Sequence, residues 1–570
     1  MRSSLPSPPS SNTRPAHGDV HSPPLPGART RTSNPHVICR NLNLRTAGST
    51  ISKLDRLPAV LRPDIARLRR QLVRYRWLGF TILGLIYLLA YNGQWQMTAD
   101  SALYRELGRN LSDGLGYVYH GQPHDHAYPG LPLLLAAARR LLGQDLPAAL
   151  LLNLALTAGA LGLLYATLKQ SIAHWIAVLV TWAAGVNALL VEHSTLVLTD
   201  VPFFFSVCLL LYGQSRLRTA RGASTLIWAG LAATGLAMAA MLRPAFYILL
   251  AAMLIWMAVE LLRGSRKRAV LTATAVAGFA VAWWCVDLRN GGHDESKLLR
   301  LLHHPDRILE RLSVNAPALL TEHGPEAIFG LQLSPGIDPL LTVAMFLGGL
   351  MLWRRNAFWA SLVATTLAAT LLFAGTVPRY FLPIMPLLLL GWVDTVRWLA
   401  VRLKLGPLPK ELAWLVAITL IFGGNIAISV KHILRQHDPR PVDLAEQSLY
   451  QEMAESIQRQ TLPTQRTIGP EARILTFLSR RDVIPAEDYA SIDPERWAAR
   501  LNADHVAFVL MPASLYSKLP AEASRLIDHF QSEAEGSAAS SPSPWSLYPI
   551  DDRALHALPR LGSPLPAKRQ

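Results

Sequence analysis

Long apolar runs with few charges constrain the fold of this chain more than any other feature of its sequence. An apolar helix of about 20 residues crosses a bilayer, because a helix satisfies its own backbone hydrogen bonds away from water. Of the 570 residues, 51% are hydrophobic and 16% are charged, and the mean hydropathy is +0.23. The sequence therefore predicts an α-helical polytopic membrane protein with about eleven transmembrane helices. The predicted spans are residues 77–91, 146–168, 173–192, 200–214, 225–241, 245–262, 269–287, 340–353, 357–374, 381–396 and 412–430.

Basic residues are concentrated before the first span and explain much of the formal net charge of +16. Residues 1–76 hold fourteen Lys and Arg but three Asp and Glu, and residues 1–60 are rich in Ser, Pro and Arg without periodicity. This composition predicts a disordered arm. A basic arm ahead of a first span is expected on the cytoplasmic side, against anionic lipid. The charge therefore indicates a membrane surface and no nucleic-acid partner.

Charges in the loops support one orientation of the spans. With Arg76 inside, the loops predicted to be inside are all basic, as the positive-inside rule requires. Their basic residues are Arg216, Arg218, Arg221, Arg263, Arg266, Lys267, Arg268, Arg354, Arg355, Arg397, Arg402, Lys404 and Lys410. The agreement holds only if the short apolar run Leu131–Leu142 is interfacial or re-entrant and does not cross. The N-terminus is then predicted inside and the C-terminus outside.

Composition divides the chain into four predicted regions. The basic cytoplasmic arm of residues 1–60 is followed by a transmembrane domain over 61–430, with outer loops 92–145 and 288–339. Residues 431–534 are predicted to form a small extracytoplasmic α/β domain, and residues 535–570 a linker and disordered tail. In the α/β domain, buried strands are predicted at 472–478 and 505–511, and helices near 443–460, 494–502 and 519–530.

Asp100 opens an amphipathic helix directly after the first predicted span. Leu103, Leu107 and Leu111 recur at helical spacing and leave the polar residues on other faces. Two interpretations of Asp100 stay open. Asp is favoured at helix N-caps for its hydrogen bonding, whereas a carboxylate at the membrane–water boundary can also serve as a general base toward a hydroxyl.

A second acid, Asp200, lies where another apolar helix begins, between Thr199 and Pro202. Its neighbours suit a first helical turn, so a capping role again competes with a functional one. In the predicted topology, Asp100 and Asp200 share the outer face. Together they are candidates to bind a sugar or a divalent metal ion.

Arg243 and Arg379 are single cations on predicted outer loops, against the positive-inside bias. Each adjoins a proline at the mouth of a predicted span. One interpretation is that their charged heads reach to the interface or to backbone carbonyl groups. The other is a clamp on a lipid phosphate, since a guanidinium fork matches phosphate oxygens.

His124, Asp125 and His126 form a short cluster in the first outer loop. A metal site needs more ligands, so loop ordering or hydrogen bonding to a sugar is the favoured interpretation. Glu192 and His193, at the end of another predicted span, are interpreted as interfacial residues.

Several segments, in this order, resemble one family. The segments are TADSALYRELGRNL, the GLGY turn, YPGLPLLL, TLVLTDVPFFF, RPAFYILL and PRYFLPIMPLLLL. They resemble polyprenyl-phosphate-sugar-dependent glycosyltransferases of the GT-C type, which include bacterial relatives of protein mannosyltransferases and the lipid A aminoarabinose transferase. The resemblance covers roughly Trp77–Ala400, and a soluble C-terminal region is also typical of this group.

The resemblance implies roles for individual residues. Asp100 corresponds to the first-loop acid, Asp200 to the acid after the second outer loop, and Arg379 to the Arg of a Pro-Arg-Tyr block. Many members have Asp-Glu where this chain has Asp100-Ser101, so a second carboxylate is in doubt. Many also have Lys-Pro-Pro or His-Pro-Pro where this chain has AYPG at 127–130, which makes His126 the nearest basic candidate. The candidate sugar or acceptor ligands are Asp200, Tyr104, His124, His126 and Tyr380.

The function implied by the resemblance is inverting transfer of a sugar from a polyprenyl phosphate to an acceptor hydroxyl. Asp100 would be the general base, and Arg379 and Arg243 would bind the donor phosphate. The expected partners are the lipid-linked donor, a glycan, lipid or protein acceptor, and membrane lipids. The expected location is the outer face of a bacterial cytoplasmic membrane. The alternatives are a transporter or flippase of lipid-linked glycans, a glycan polymerase or ligase, and a structural scaffold.

Overall fold

The computed structural model describes ten stretches of the chain. They are residues 62–124, 127–263, 305–372, 378–404, 407–438, 441–485, 500–501, 504, 506–512 and 545–549. The arm at 1–60, the predicted span 269–287, His126 and the predicted helix near 519–530 lie outside the described residues.

Helices dominate the described chain and are numbered here in order. They are α1 Arg62–Arg74, α2 Arg76–Ala90, α3 Ala99–Ser112, α4 Gly130–Leu142, α5 Leu146–Ser171, α6 His174–Gly185, α7 Ala188–Thr195, α8 Asp200–Thr219, α9 Ser224–Leu242, α10 Phe246–Leu262, α11 Pro305–Ala318, α12 Gly324–Phe329, α13 Asp338–Met351, α14 Ala357–Leu372, α15 Met385–Arg402, α16 Pro407–His437, α17 Pro441–Gln460 and α18 Ala472–Ser479. A π-helical turn spans Leu319–His323, and 3₁₀ turns span Leu352–Arg354 and Pro378–Phe381.

The predicted spans within the described residues coincide with helices, except that the span 173–192 is divided into α6 and α7. By length and hydropathy, three of the described helical segments can cross a membrane: α5, α9 and residues 417–437 of α16. The bent pair of α6 and α7, with an angle of 52° between them, makes a fourth if it is one broken span. The polytopic helical architecture is confirmed, while the number of eleven spans stays a prediction.

The short segment at 131–142 forms α4, which packs along the amphipathic helix α3. Arg139 and Arg140 in its last turn donate hydrogen bonds to backbone carbonyl groups at the end of α3. A Cβ atom on Gly108 of α3 would lie 2.9 Å from the Cβ of Leu135. This pairing fits the interfacial interpretation of the segment.

Glycines allow α13 and α15 to cross with their backbones in contact. A Cβ on Gly391 would overlap the backbone of Gly348 and Gly349, and one on Gly348 would overlap the carbonyl of Gly391. Small residues at such crossings are typical of helices packed in a membrane, where close van der Waals contact replaces the hydrophobic effect.

The substitution Gly391→Ala is expected to lower the thermal unfolding temperature of the detergent-purified protein by several degrees, because either backbone must move. Gly84→Ala is the matched control, since a Cβ on Gly84 meets nothing within 4 Å. It is expected to be neutral or slightly stabilising. An equal response of the two variants would contradict the close crossing.

The C-terminal region contains a four-stranded sheet with strand order β4-β3-β5-β6. The strands are β3 Arg466–Gly469, β4 Asp482–Pro485, β5 Val506–Pro512 and β6 Trp545–Pro549; a separate hairpin joins β1 Val118–Tyr119 and β2 Gln122–Pro123. Strands β3, β4 and β5 are parallel, and β6 is antiparallel to β5. Helices α17 and α18 contribute Met453, Ile457 and Leu475 to its core. The α/β character is as predicted.

Two predictions in this region are wrong. Residues 472–478 form α18 and not a strand, because a short apolar run fits either a buried strand or a helix that buries one face. Residues 545–549, within the segment predicted as linker and tail, form β6 and pair with β5. That pairing depends on a strand distant in sequence, which local composition does not reveal.

Candidate functional site

The start of α3 shows that Asp100 is not the helix cap. Thr98 is the N-cap, and its hydroxyl accepts a hydrogen bond from the Ser101 amide at 3.1 Å. The Ser101 hydroxyl in turn accepts from the Thr98 amide at 3.2 Å and from the Trp95 indole at 2.9 Å. This reciprocal capping box satisfies the first turn. The carboxylate of Asp100 is therefore available for another role.

The Asp100 carboxylate is the solvent-exposed acid of the site. Its side chain is 52% exposed, and its Oδ1 accepts a hydrogen bond from Nη1 of Arg473 at 2.8 Å. Arg473 belongs to α18 of the C-terminal domain, and its side chain is 45% exposed. The candidate base thus contacts both the membrane domain and the soluble domain.

Asp200 is the buried counterpart of Asp100. It is the first residue of α8, its side chain is 2% exposed, and the preceding residue makes no side-chain capping bond. Its Oδ1 accepts a hydrogen bond from Nη1 of Arg243 at 2.8 Å, and its Oδ2 lies 3.8 Å from Nδ1 of His193. A buried carboxylate requires such partners, because desolvation of an unpaired charge is costly.

The bend between α6 and α7 brings His193 to Asp200. Asn187 at the bend accepts a hydrogen bond from the Leu190 amide and donates one to the side-chain oxygen of Asn425 at 3.1 Å. The Asn425 oxygen also accepts from the Ala188 amide at 3.0 Å, so the two asparagines satisfy backbone amides that the break would otherwise leave unpaired.

Tyr104, one turn after Asp100, connects the two acids. Burial raises the pKa of the Tyr104 hydroxyl, and the carboxylates of Asp100 and Asp200 raise it further. Arg243 and a side-chain hydrogen bond with Thr199 act in the opposite direction and lower this pKa. Tyr104 therefore keeps its proton at neutral pH and remains a hydrogen-bond donor.

Arg379 lies in the 3₁₀ turn Pro378–Phe381, within electrostatic range of Asp200. Its guanidinium carbon is 5.9 Å from the ring centre of Tyr380. Its Nε is buried and has no hydrogen-bond partner among the described residues. An unsatisfied buried donor costs about 1–3 kcal/mol, so this guanidinium is suited to receive an anionic ligand.

His124 helps to order the loop between α3 and α4. Its Nε2 accepts a hydrogen bond from the Ala127 amide at 3.1 Å, and the Tyr117 hydroxyl donates to the Ala127 carbonyl at 2.7 Å. Loop ordering is therefore the role that the structure shows for His124. Contact of His124 or the 38% exposed Tyr380 with a sugar stays a prediction.

Both acids at the site are already paired with guanidinium groups. A divalent ion at Asp100 or Asp200 would have to displace Arg473 or Arg243. Over the described part of the chain, no group of three or more His, Cys, Asp and Glu side chains is arranged to hold a metal ion. The described residues therefore contain no preformed metal site, and a divalent ion at these acids stays a prediction.

Two residues of the site were missed by the sequence. His193 was interpreted as interfacial, but it adjoins Asp200, and its Nδ1 is buried without a hydrogen bond in the described structure. Nothing in the sequence indicated that Arg473 contacts Asp100, because Arg473 lies 373 residues away in a segment predicted to be a strand.

The basic loops predicted inside meet at the opposite end of α8 from Asp200. Arg218, in the last turn of α8, donates to the carbonyl of Arg355, whose side chain pairs with Asp394 at 2.7 Å. Two of these loops thus share one end of the helical domain, and the candidate site occupies the other.

No protein-family model matches the chain, and no curated protein matches it. The chain is, however, similar to several solved structures. ArnT from Cupriavidus metallidurans bound to undecaprenyl phosphate aligns with a TM-score of 0.51 and 13% identity, over 84% of this chain and 98% of ArnT. The apo state of that protein gives a TM-score of 0.51 and 12% identity, over 86% and 98% of the two chains.

The archaeal oligosaccharyltransferase AglB from Archaeoglobus fulgidus, in complex with an inhibitory peptide and a dolichol-phosphate, also aligns. Its TM-score is 0.51 and its identity 12%, over 84% of this chain and 74% of AglB. At such identities the likeness shows the fold. The chain is a polytopic membrane protein with the GT-C fold.

Proposed function

We propose that this protein is a membrane glycosyltransferase that moves a sugar from a polyprenyl phosphate to an acceptor hydroxyl. One observation carries the proposal. Within a GT-C fold, two acids, a tyrosine and two arginines predicted from the sequence converge at one end of the helical domain. The proposal is supported by the structures of ArnT with undecaprenyl phosphate and of AglB with dolichol-phosphate.

Asp100 is the general base in this proposal. Its carboxylate takes the proton of the acceptor hydroxyl as the oxygen attacks the anomeric carbon. The bond between that carbon and the phosphate oxygen breaks, and its electron pair leaves with the phosphate. Attack opposite the leaving group inverts the anomeric centre, so no covalent sugar–enzyme intermediate is formed.

Arg379 and Arg243 hold the donor phosphate. The buried, unpartnered Nε of Arg379 gives the developing negative charge a donor that has no protein partner in the described residues. Arg243 is fixed by Asp200, which keeps its guanidinium oriented. Tyr104, a neutral hydroxyl between the two acids, hydrogen-bonds the sugar.

We infer that the site faces the outer side of a bacterial cytoplasmic membrane. The basic last turns of α8 and α15 lie opposite the site, and basic loops favour the cytoplasm. The acceptor then approaches between α3 and the C-terminal domain. Cysteines introduced at 113 and 355 provide the check: a membrane-impermeant thiol reagent added to intact cells should label position 113 alone.

Transfer is tested with the purified full chain in liposomes, using radiolabelled polyprenyl-phosphate sugars and a membrane extract as acceptor. Label is expected to move from the lipid to an acceptor with one of the sugars. A transporter or flippase would instead carry labelled lipid across the bilayer without cleaving it. Movement without cleavage would overturn the proposed function.

A further inference from the structure

Helix α18 of the C-terminal domain packs directly on the helix that carries Asp100. Phe477 of α18 contacts Trp95 edge to face, with ring centres 4.9 Å apart. Ile474 and Phe477 are buried together with Trp95 and Ala102. The guanidinium of Arg105 lies 4.3 Å from the Phe477 ring centre. These contacts hold α18 beside Asp100.

The ends of α18 are conformationally costly. Glu471, before the helix, and Arg480, after it, both have left-handed backbones, with φ of 43° and 58°. Residues other than glycine are strained in this region and persist where the surrounding structure requires them. Here they limit the helix to eight residues and set its direction.

Other contacts dock the domain without help from Arg473. His120, at the tip of the hairpin β1–β2, pairs with Asp482 of β4. Asp482 also forms an ion pair with Arg466 at 2.7 Å. Together with the aromatic contacts of Phe477, they leave the Arg473–Asp100 pair unnecessary for docking.

The Arg473–Asp100 pair is therefore free to open. Both side chains are about half exposed, and exposed ion pairs contribute little to stability. A guanidinium carries five N–H donors. Within the described residues, Arg473 hydrogen-bonds Asp100 alone, through Nη1.

The charge changes of the proposed reaction favour movement of the Arg473 guanidinium from Asp100 toward the phosphate. When Asp100 takes the acceptor proton, its carboxylate becomes neutral and no longer attracts Arg473. At the same moment the leaving phosphate gains a negative charge. Tyr104, on the same helix as Asp100, lies within electrostatic range of both Asp100 and Arg243.

We propose that Arg473 is a donor-phosphate ligand that is stored on Asp100 while the site is empty. Binding of the polyprenyl phosphate draws the guanidinium onto the phosphate and releases the Asp100 carboxylate for proton transfer. The inference rests on the proposed function and deepens it, because it couples donor binding to the availability of the base.

Binding of undecaprenyl phosphate to the full-length protein in nanodiscs tests the inference with a double-mutant cycle. The proteins are the wild type, Asp100→Asn, Arg473→Gln and the double variant. Asp100→Asn frees Arg473 and is expected to tighten binding about two- to fivefold, the equivalent of an exposed ion pair. Arg473→Gln should weaken binding, and adding Asp100→Asn to it should bring little or no tightening.

The cycle is needed because removal of any nearby negative charge tightens binding of an anion. If only this general charge effect operates, Asp100→Asn tightens binding equally with and without Arg473. If Arg473 is stored on Asp100, most of the tightening disappears in the Arg473→Gln background. Arg459→Ala removes a more exposed pair, with Glu455, elsewhere in the same domain and should leave affinity unchanged. Undecaprenol and inorganic phosphate as competitors separate the contributions of the tail and the phosphate.

Two failures are distinguishable. If the wild type binds undecaprenyl phosphate but Asp100→Asn has the same effect in both backgrounds, the storage role is wrong and the proposed function stands. If the wild type shows no phosphate-dependent binding, the donor class itself is wrong. Should Arg473→Gln unfold, Arg473→Met replaces it in the same cycle, since Met keeps an unbranched apolar side chain and removes the charge.

Discussion

Asp100→Asn is expected to reduce sugar transfer by about 10²–10⁴-fold, the usual contribution of a general base. The amide keeps the size of the carboxylate but cannot accept the acceptor proton. The fold of α3 should survive, because Thr98 and Ser101 cap this helix without Asp100. The measurement is the initial rate of label transfer at saturating donor, with protein quantity checked by gel filtration.

Asp113→Asn provides the matched control for this variant. Asp113 is the C-cap of the same helix and pairs with Arg139 at 3.1 Å, at the end remote from Asp100. Its loss should leave the transfer rate within about twofold, as expected for an exposed pair. A full rate in Asp100→Asn would show that another group takes the proton, and His193 beside Asp200 would be the next candidate.

The membrane domain was predictable because its signals are local. Apolar runs identify α5, α9 and α16 directly, and the period of Leu103, Leu107 and Leu111 identifies α3. The acids and arginines were found as charges at the ends of such runs, where each departs from its surroundings. What remained ambiguous was which residue caps α3, because Thr98 and Asp100 are both good caps and only backbone geometry selects between them.

The remaining parts of the site depend on contacts across long sequence separations. His193 reaches Asp200 through the bend at Asn187, which is held by Asn425 some 238 residues away. Arg473 meets Asp100 only because α18 packs on α3. Local periodicity carries no information on either contact, and for residues 472–478 it favoured the wrong element. Sequence therefore identified Asp100, Asp200 and Arg243, but not their further neighbours His193 and Arg473.

Arg243→Ala is expected to be the most destabilising change at the site. It leaves the 2% exposed carboxylate of Asp200 without its main partner, and breaking a buried pair in this way costs about 3–5 kcal/mol. His193, at 3.8 Å, is too distant to replace the hydrogen bond. Thermal and denaturant unfolding in detergent should show the loss. Undecaprenyl phosphate should bind more weakly as well.

The double variant Asp200→Asn with Arg243→Met separates stability from function. Removing both charges should recover most of the lost stability, because no unpaired charge stays buried. Phosphate binding should not recover, since the guanidinium is gone. Arg355→Ala, which breaks the pair with Asp394 at the opposite end of the helical domain, should lower stability while phosphate affinity is retained. If the double variant binds and transfers like the wild type, Arg243 and Asp200 are only structural, and Arg379 and Arg473 must hold the phosphate without them.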